Sequence, residues 1–159
     1  MIRAIKLSLS SASASKQVAV RALLREYRSA INFYCRSLWD ERGKLDAATL
    51  KRYTGGCLGY RQKSDCLAMA LETVISTRKA AKAIGKHWVS CPHVRGSVRV
   101  SELCAKIEKF EKSGFDYCLR LSGLIKGYPI VLPLKAHRQL LRWLAVPGAV
   151  LKDGCVLRE

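Results

Sequence analysis

The chain has 159 residues, of which 29 are Lys or Arg and 12 are Asp or Glu, giving a formal charge of +17, and 49% are hydrophobic. That hydrophobic share excludes wholesale disorder, and the lack of any run of about 18 apolar residues excludes a membrane-spanning helix. So high a charge is self-repulsive unless an anionic partner offsets it: nucleic acid first, an anionic membrane surface second, with a merely basic soluble surface as the plain alternative.

The opening Met1-Ile2-Arg3-Ala4-Ile5-Lys6 carries charge inside any apolar core and is not expected to be a secretory signal. Residues 2–10 read as a strand, with Ile5, Leu7 and Leu9 on one face. The polar hinge Ser10-Ser11-Ala12-Ser13-Ala14-Ser15 then offers helix caps. Residues 16–41 read as a long helix, because Val20, Leu24, Tyr27, Ile31, Tyr34 and Leu38 recur every three or four positions. Arg21, Arg25, Arg28, Asn32 and Arg36 form a second stripe about 100° around the same helix. The apolar stripe is core. The basic one is either a solvated face or a contact surface, and its near-uniform sign favours contact.

Gly43 is expected to end that helix, and a short helix follows over residues 46–53 with Asp46 near its start. Thr54-Gly55-Gly56-Cys57-Leu58-Gly59 is glycine-rich but lacks the Gly-Lys-Ser/Thr ending of a phosphate-binding loop. A third helix is expected over 61–85, with Leu67, Leu71, Val74 and Arg78 on one face and Gly85 as its stop. Arg78, Lys79, Lys82 and Lys86 gather at its end, where cations complement the helix dipole.

After Cys91-Pro92 the period changes to two. Val98 and Val100, then Leu103, Ala105 and Ile107, then Phe115, Tyr117, Leu119 and Leu121 mark strands. Lys112-Ser113-Gly114 and Lys126-Gly127 are the turns. Ile130-Val131-Leu132 is a further strand that Pro133 is expected to end. A helix over 135–145 with Leu140, Leu141 and Leu144 inward, and a hairpin over 150–157, complete the chain. The first strand needs partners, and the only candidates lie after residue 95. The expected fold class is therefore α+β. Residues 1–12 and 92–159 build a small β-barrel, and a helical bundle, 13–91, is inserted in it.

Catalytic chemistry is poorly supplied. The acids form no set suited to two-metal phosphoryl chemistry, and Asp116 reads as an edge or turn carboxylate. His87, His93 and His137 are scattered, and the common hydrolase and metalloprotease motifs are absent. Cys35, Cys57, Cys66, Cys91, Cys104, Cys118 and Cys155 are odd in number and contain no C-x-x-C pair, which points to reduced thiols in a cytoplasm. Cys91-Pro92-His93 with Cys57 and Cys66 fits no standard zinc spacing. No cofactor is expected. Binding chemistry is plentiful, because basic residues interleave with aromatics at Arg25-Glu26-Tyr27-Arg28, Lys51-Arg52-Tyr53, Tyr60-Arg61, His87-Trp88 and Arg142-Trp143. Tyr27, Tyr34 and Trp39 are expected in the core, while Tyr60 is divided between core and contact.

The order of elements resembles the N-terminal lobe of type V CRISPR effectors and their transposon-encoded TnpB relatives. The stretches that carry the resemblance are Ile2-Arg3-Ala4-Ile5-Lys6-Leu7, Tyr27-Arg28-Ser29-Ala30-Ile31-Asn32-Phe33-Tyr34 and Tyr60 to Ala70. The most specific is Phe115 to Leu124, continuing through Lys126-Gly127 to Ile130-Val131-Leu132-Pro133-Leu134-Lys135-Ala136-His137. The resemblance implies that the strands form an oligonucleotide-binding-like barrel, the wedge domain, and the helices its inserted recognition domain. It implies a guide RNA and target DNA as partners in a prokaryotic or phage-encoded antiviral defence system. A guide RNA reads the target, and the protein holds backbones and reads a short adjacent motif.

Site residues follow from the same resemblance. Tyr60, Gln62, Lys63 and Ser64 are expected at the adjacent-motif duplex, Arg21, Arg25, Arg28, Asn32 and Arg36 along the heteroduplex backbone, and Lys126, Lys135, His137, Arg138 and Arg142 on the RNA scaffold. The family's RuvC-like nuclease follows this lobe and has no counterpart here, so the chain alone is not expected to be an enzyme. A separate nuclease chain or a second copy is a possible partner. The alternatives are a stand-alone basic RNA- or DNA-binding module and an interaction subunit that docks on such a nuclease.

Overall fold

A computed structural model describes residues 8–10, 12–41, 46–86, 88–110, 114–136 and 138–158. Among these the architecture is α+β: α1 (Ala14–Glu41), α2 (Ala47–Arg52), α3 (Tyr60–Ala83), β1 (Val98–Val100), β2 (Ala105–Lys109), β3 (Tyr117–Leu121), β4 (Ile130–Leu134), α4 (Arg138–Leu144) and β5 (Cys155–Leu157). The chain divides into a strand unit, Met1–Arg21 with Ser101–Cys155, and a helical unit, Ala22–Val100 with Val156–Glu159.

In the helical unit the apolar stripe of α1 is core as expected. Leu23, Leu24, Tyr27, Ala30, Ile31, Tyr34, Cys35 and Leu38 are buried, as are Cys66, Leu67, Ala70 and Val74 of α3. The two helices touch where the Cys35 thiol lies 3.9 Å from the Ala70 carbonyl. Burial pushes that thiol up to about 11. Asp46 caps α2 by accepting from the Thr49 N–H at 2.6 Å. The Tyr34 hydroxyl donates to Leu50 O at 3.0 Å, and burial, then Cys66 and Tyr53, push its pKa up to about 12. Gly85, at φ +66, stops α3. Gly85 N donates to Lys82 O and Lys86 N to Ala81 O, the paired bonds of a Schellman motif.

β1 alternates buried Val98, exposed Arg99 and buried Val100, and it pairs with β5. This corrects the expected hairpin: Val150 and Leu151 are not in a strand, and β5 finds its partner far back in the chain.

The strand unit holds an antiparallel sheet in the order β2-β3-β4. Its register sets Ala105 opposite Leu121, Ile107 opposite Leu119, and Leu119 opposite Leu132. These rows, with Leu134 and Leu140, place the buried side chains. Pro133 does not end the last strand but lies inside β4. That strand is an edge, where a missing N–H is tolerated. The other edge, β2, is covered: the Ile107 N–H donates to Asp153 Oδ1 at 2.8 Å, and Gly154 N–H donates to Ala105 O at 2.9 Å. Leu103 and Leu141 are exposed, against the expectation for both. Among the described residues the two sheets do not join into a closed barrel. Of the expected opening strand over residues 2–10, residues 8–10 are not in a strand, which corrects that end of it, and the rest, with the helix stop at Gly43 and the residues Lys112 and Ser113, lie outside the described residues.

Candidate nucleic-acid interface

The basic stripe of α1 divides into two kinds of residue. Arg21, Arg25 and Arg36 are exposed. Arg28 and Asn32 are engaged by the segment that follows Pro92. The Arg28 Nε donates to Gly96 O at 3.0 Å. The buried Asn32 donates through Nδ2 to Val94 O at 3.1 Å and accepts from Val94 N at 2.7 Å. A side-chain amide that closes both bonds with one peptide unit is a backbone clamp, so Asn32 is not disposed to track a phosphate backbone.

The quartet at the start of α3 divides in the same way. Tyr60 is 70% exposed. Gln62 is buried, and its Oε1 accepts from the Gly59 N–H at 2.8 Å, the back-reaching half of a capping box. Lys63 donates to Tyr53 O at 2.8 Å and lies 5.7 Å from the centre of the Tyr53 ring. Ser64 is half-buried. The neighbouring glycine loop turns at Gly56, φ +71, where the Glu26 carboxylate fills the space a β-carbon would take.

In the strand unit Lys126 stands in the turn between β3 and β4, and Lys135 directly follows β4. Arg138 and Arg142 lie one turn apart on α4, and all four are exposed. His137 and His87 lie outside the described residues. The structure adds a feature not read from the sequence. Lys106 of β2 and Arg120 of β3 are directly opposed, both exposed. Like charges in that position repel. Alternation marked both as outward residues, but only the register makes them neighbours.

A second added feature is an open cleft of about 580 Å³ at the C-terminal end of α3, lined by Trp39, Asp40, Arg78, Lys82, Lys86 and Val89 among others. The Arg78 guanidinium lies over Trp39, 4.9 Å from its ring centre, in a cation–π contact, and donates to Trp39 O at 2.9 Å. Burial first, then the Asp40 carboxylate, push the Cys91 thiol above its ordinary value, against Arg36 and Arg78. Sequence alone showed these cations as a cluster and credited them in part to the helix dipole. The adjoining basic-aromatic pair at His87-Trp88 was the signal that more was present.

Among the described residues no three metal-ligating side chains gather, and no helix is long and apolar enough to cross a membrane. No family model, curated protein or solved structure matches the chain.

Proposed function

We propose that this chain grips nucleic acid by its phosphates, as the RNA-holding lobe of an RNA-guided DNA-targeting effector whose nuclease centre lies elsewhere. One observation carries the nucleic-acid part: four of the described acids are engaged within the fold, and the exposed cations far outnumber the exposed acids that remain, Asp40, Glu102 and Glu108. Asp46, Asp116 and Asp153 accept backbone N–H groups, and Glu72 takes Arg99 at 2.8 Å. Arg21, Arg25, Arg36, Lys106, Arg120, Lys126, Lys135, Arg138 and Arg142 are exposed. The opposed pair Lys106 and Arg120 is the sharpest case, since a phosphate between them turns repulsion into two attractions.

Such contacts position a nucleic acid without reading it. In this proposal the sequence is read by a guide RNA in a defence system, and the strands belong to a wedge-like domain, not closed into a barrel among the described residues, that carries the helices as its recognition insertion. The strand, Lys126-Gly127 turn and strand running into Pro133-Leu134-Lys135 support it. A second reading, a stand-alone basic RNA- or DNA-binding module, is favoured by Gln62 and Lys63. Both are bound to their own backbone rather than free to read base edges.

The test is to purify the chain at moderate salt and sequence the nucleic acid that accompanies it. One discrete structured RNA is the expected result, and heterogeneous RNA selects the stand-alone module. If about six to ten phosphates are contacted, affinity falls about 10³–10⁵-fold between roughly 50 and 200 mM salt. A flat salt response overturns both.

A further inference from the structure

We propose that the cleft at the end of α3 holds an unpaired nucleotide of a single strand, with its base on the Arg78–Trp39 pair and its phosphates against Lys82 and Lys86. The helix end does not need these lysines. Three of its last four carbonyls are already closed by backbone: Ile84 N donates to Ala80 O, Lys86 N to Ala81 O and Gly85 N to Lys82 O. Lys82 and Lys86 are exposed, and Lys86 lies beyond the helix stop. Three lining cations face a single lining acid, Asp40.

The floor of the cleft is what selects an unpaired base. A site for phosphate alone needs no aromatic surface. The guanidinium of Arg78, exposed and backed by an indole, is a flat cationic platform of the kind on which splayed bases stack. Bases inside a duplex are stacked on one another and do not reach it. The volume of about 580 Å³ falls within the range of roughly 300–1,000 Å³ that encloses small ligands. Trp88, one residue before the lining Val89, is 93% exposed and adds a second aromatic next to the lining segment.

This inference rests on the nucleic-acid reading but makes a separate demand, a preference for single strands at one place. The experiment measures binding of the full chain to labelled short oligothymidylate and to a DNA duplex with as many phosphates, by fluorescence anisotropy. Arg78→Lys keeps the charge and removes the planar stack. It is expected to weaken oligothymidylate roughly tenfold and leave the duplex within about twofold. Lys86→Gln, at an exposed position after the helix, is expected to lower the salt slope for oligothymidylate by about one. Equal losses for both ligands in Arg78→Lys, or none, overturn the cleft while the phosphate-binding proposal stands. If the unaltered chain binds neither ligand, both proposals fall.

Discussion

In the helical unit, cations and neutral polar groups hold backbone carbonyls in place. Arg28, Asn32, Tyr34, Lys63 and Arg78 donate to the carbonyls of Gly96, Val94, Leu50, Tyr53 and Trp39. In the strand unit acids do the corresponding work on backbone N–H groups, Asp116 for Ala136 and Asp153 for Ile107. The consequence is an asymmetry of function. Part of the positive charge of the helical unit is structural, whereas in the strand unit Lys106, Arg120, Lys126, Lys135, Arg138 and Arg142 are exposed. A count of basic residues treats the two alike, and only the hydrogen bonds separate them.

The largest expected effect compares how the units yield to one added methyl group. In the strand unit a β-carbon at Gly123 would overlap the Tyr128 carbonyl oxygen, which is backbone and does not give way. Gly123→Ala is expected to cost about 3 kcal/mol or more in chemical denaturation. In the helical unit the obstacle at Gly56 is the carboxylate of Glu26, which can rotate, so Gly56→Ala meets mainly its positive φ. A cost of about 1–2 kcal/mol is expected. Equal costs would show that the two obstacles are equally rigid.

Next in size are the structural and free halves of the α1 stripe. Asn32→Ala leaves both polar groups of Val94 without their partner and is expected to cost about 1–3 kcal/mol. Arg25→Ala, at an exposed position, should stay within about 0.5 kcal/mol in stability while weakening nucleic-acid binding. If Arg25→Ala leaves binding unchanged, the exposed half of the stripe is only a solvated face.

Alkaline pH gives a smaller handle on the core of the helical unit. The folded state holds the protons of Cys35 and Tyr34 up to about 11 and 12, against ordinary values of 9.0 and 10.0. Between these limits the unfolded chain releases protons that the folded chain keeps, so stability is full below about pH 9 and falls as pH rises through the window. Tyr34→Phe should lower stability at neutral pH, because Leu50 O loses its donor, and remove the phenol's part of the alkaline decline. An unchanged decline between pH 10 and 12 would mean that Tyr34 does not contribute to it.

The helices were legible in the sequence because their signals are local: a stripe of period 3.6, a cap at Asp46, a stop at Gly85. The errors fell where the deciding fact is distant. Pro133 is tolerated because β4 is an edge, and β5 pairs with β1, neither of which can be read from neighbouring residues. The α1 stripe could be read as one face, but it could not show that Val94 and Gly96 lie against part of it. Gln62 is the instructive miss, since Gly59 and Gln62 stand at the N-cap and N3 spacing of a capping box. That local pattern was available to oppose a base-reading role.

The smallest expected effect is the most discriminating, because stability and binding should move in opposite directions. Lys106→Glu places a carboxylate opposite Arg120 on the exposed face of the sheet. Exchanging a like-charge pair for an opposite-charge pair is expected to stabilise the strand unit by about 0.2–1 kcal/mol, more at low salt than at high. The same change removes a phosphate partner and adds a repulsive charge, so nucleic-acid affinity should drop and its salt dependence flatten. Denaturation and anisotropy titrations on one preparation measure both. A gain in stability with no loss of binding would place the nucleic acid away from this face of the sheet. A loss of both would mean that Lys106 has a structural task, and the division of labour between the two units would not hold.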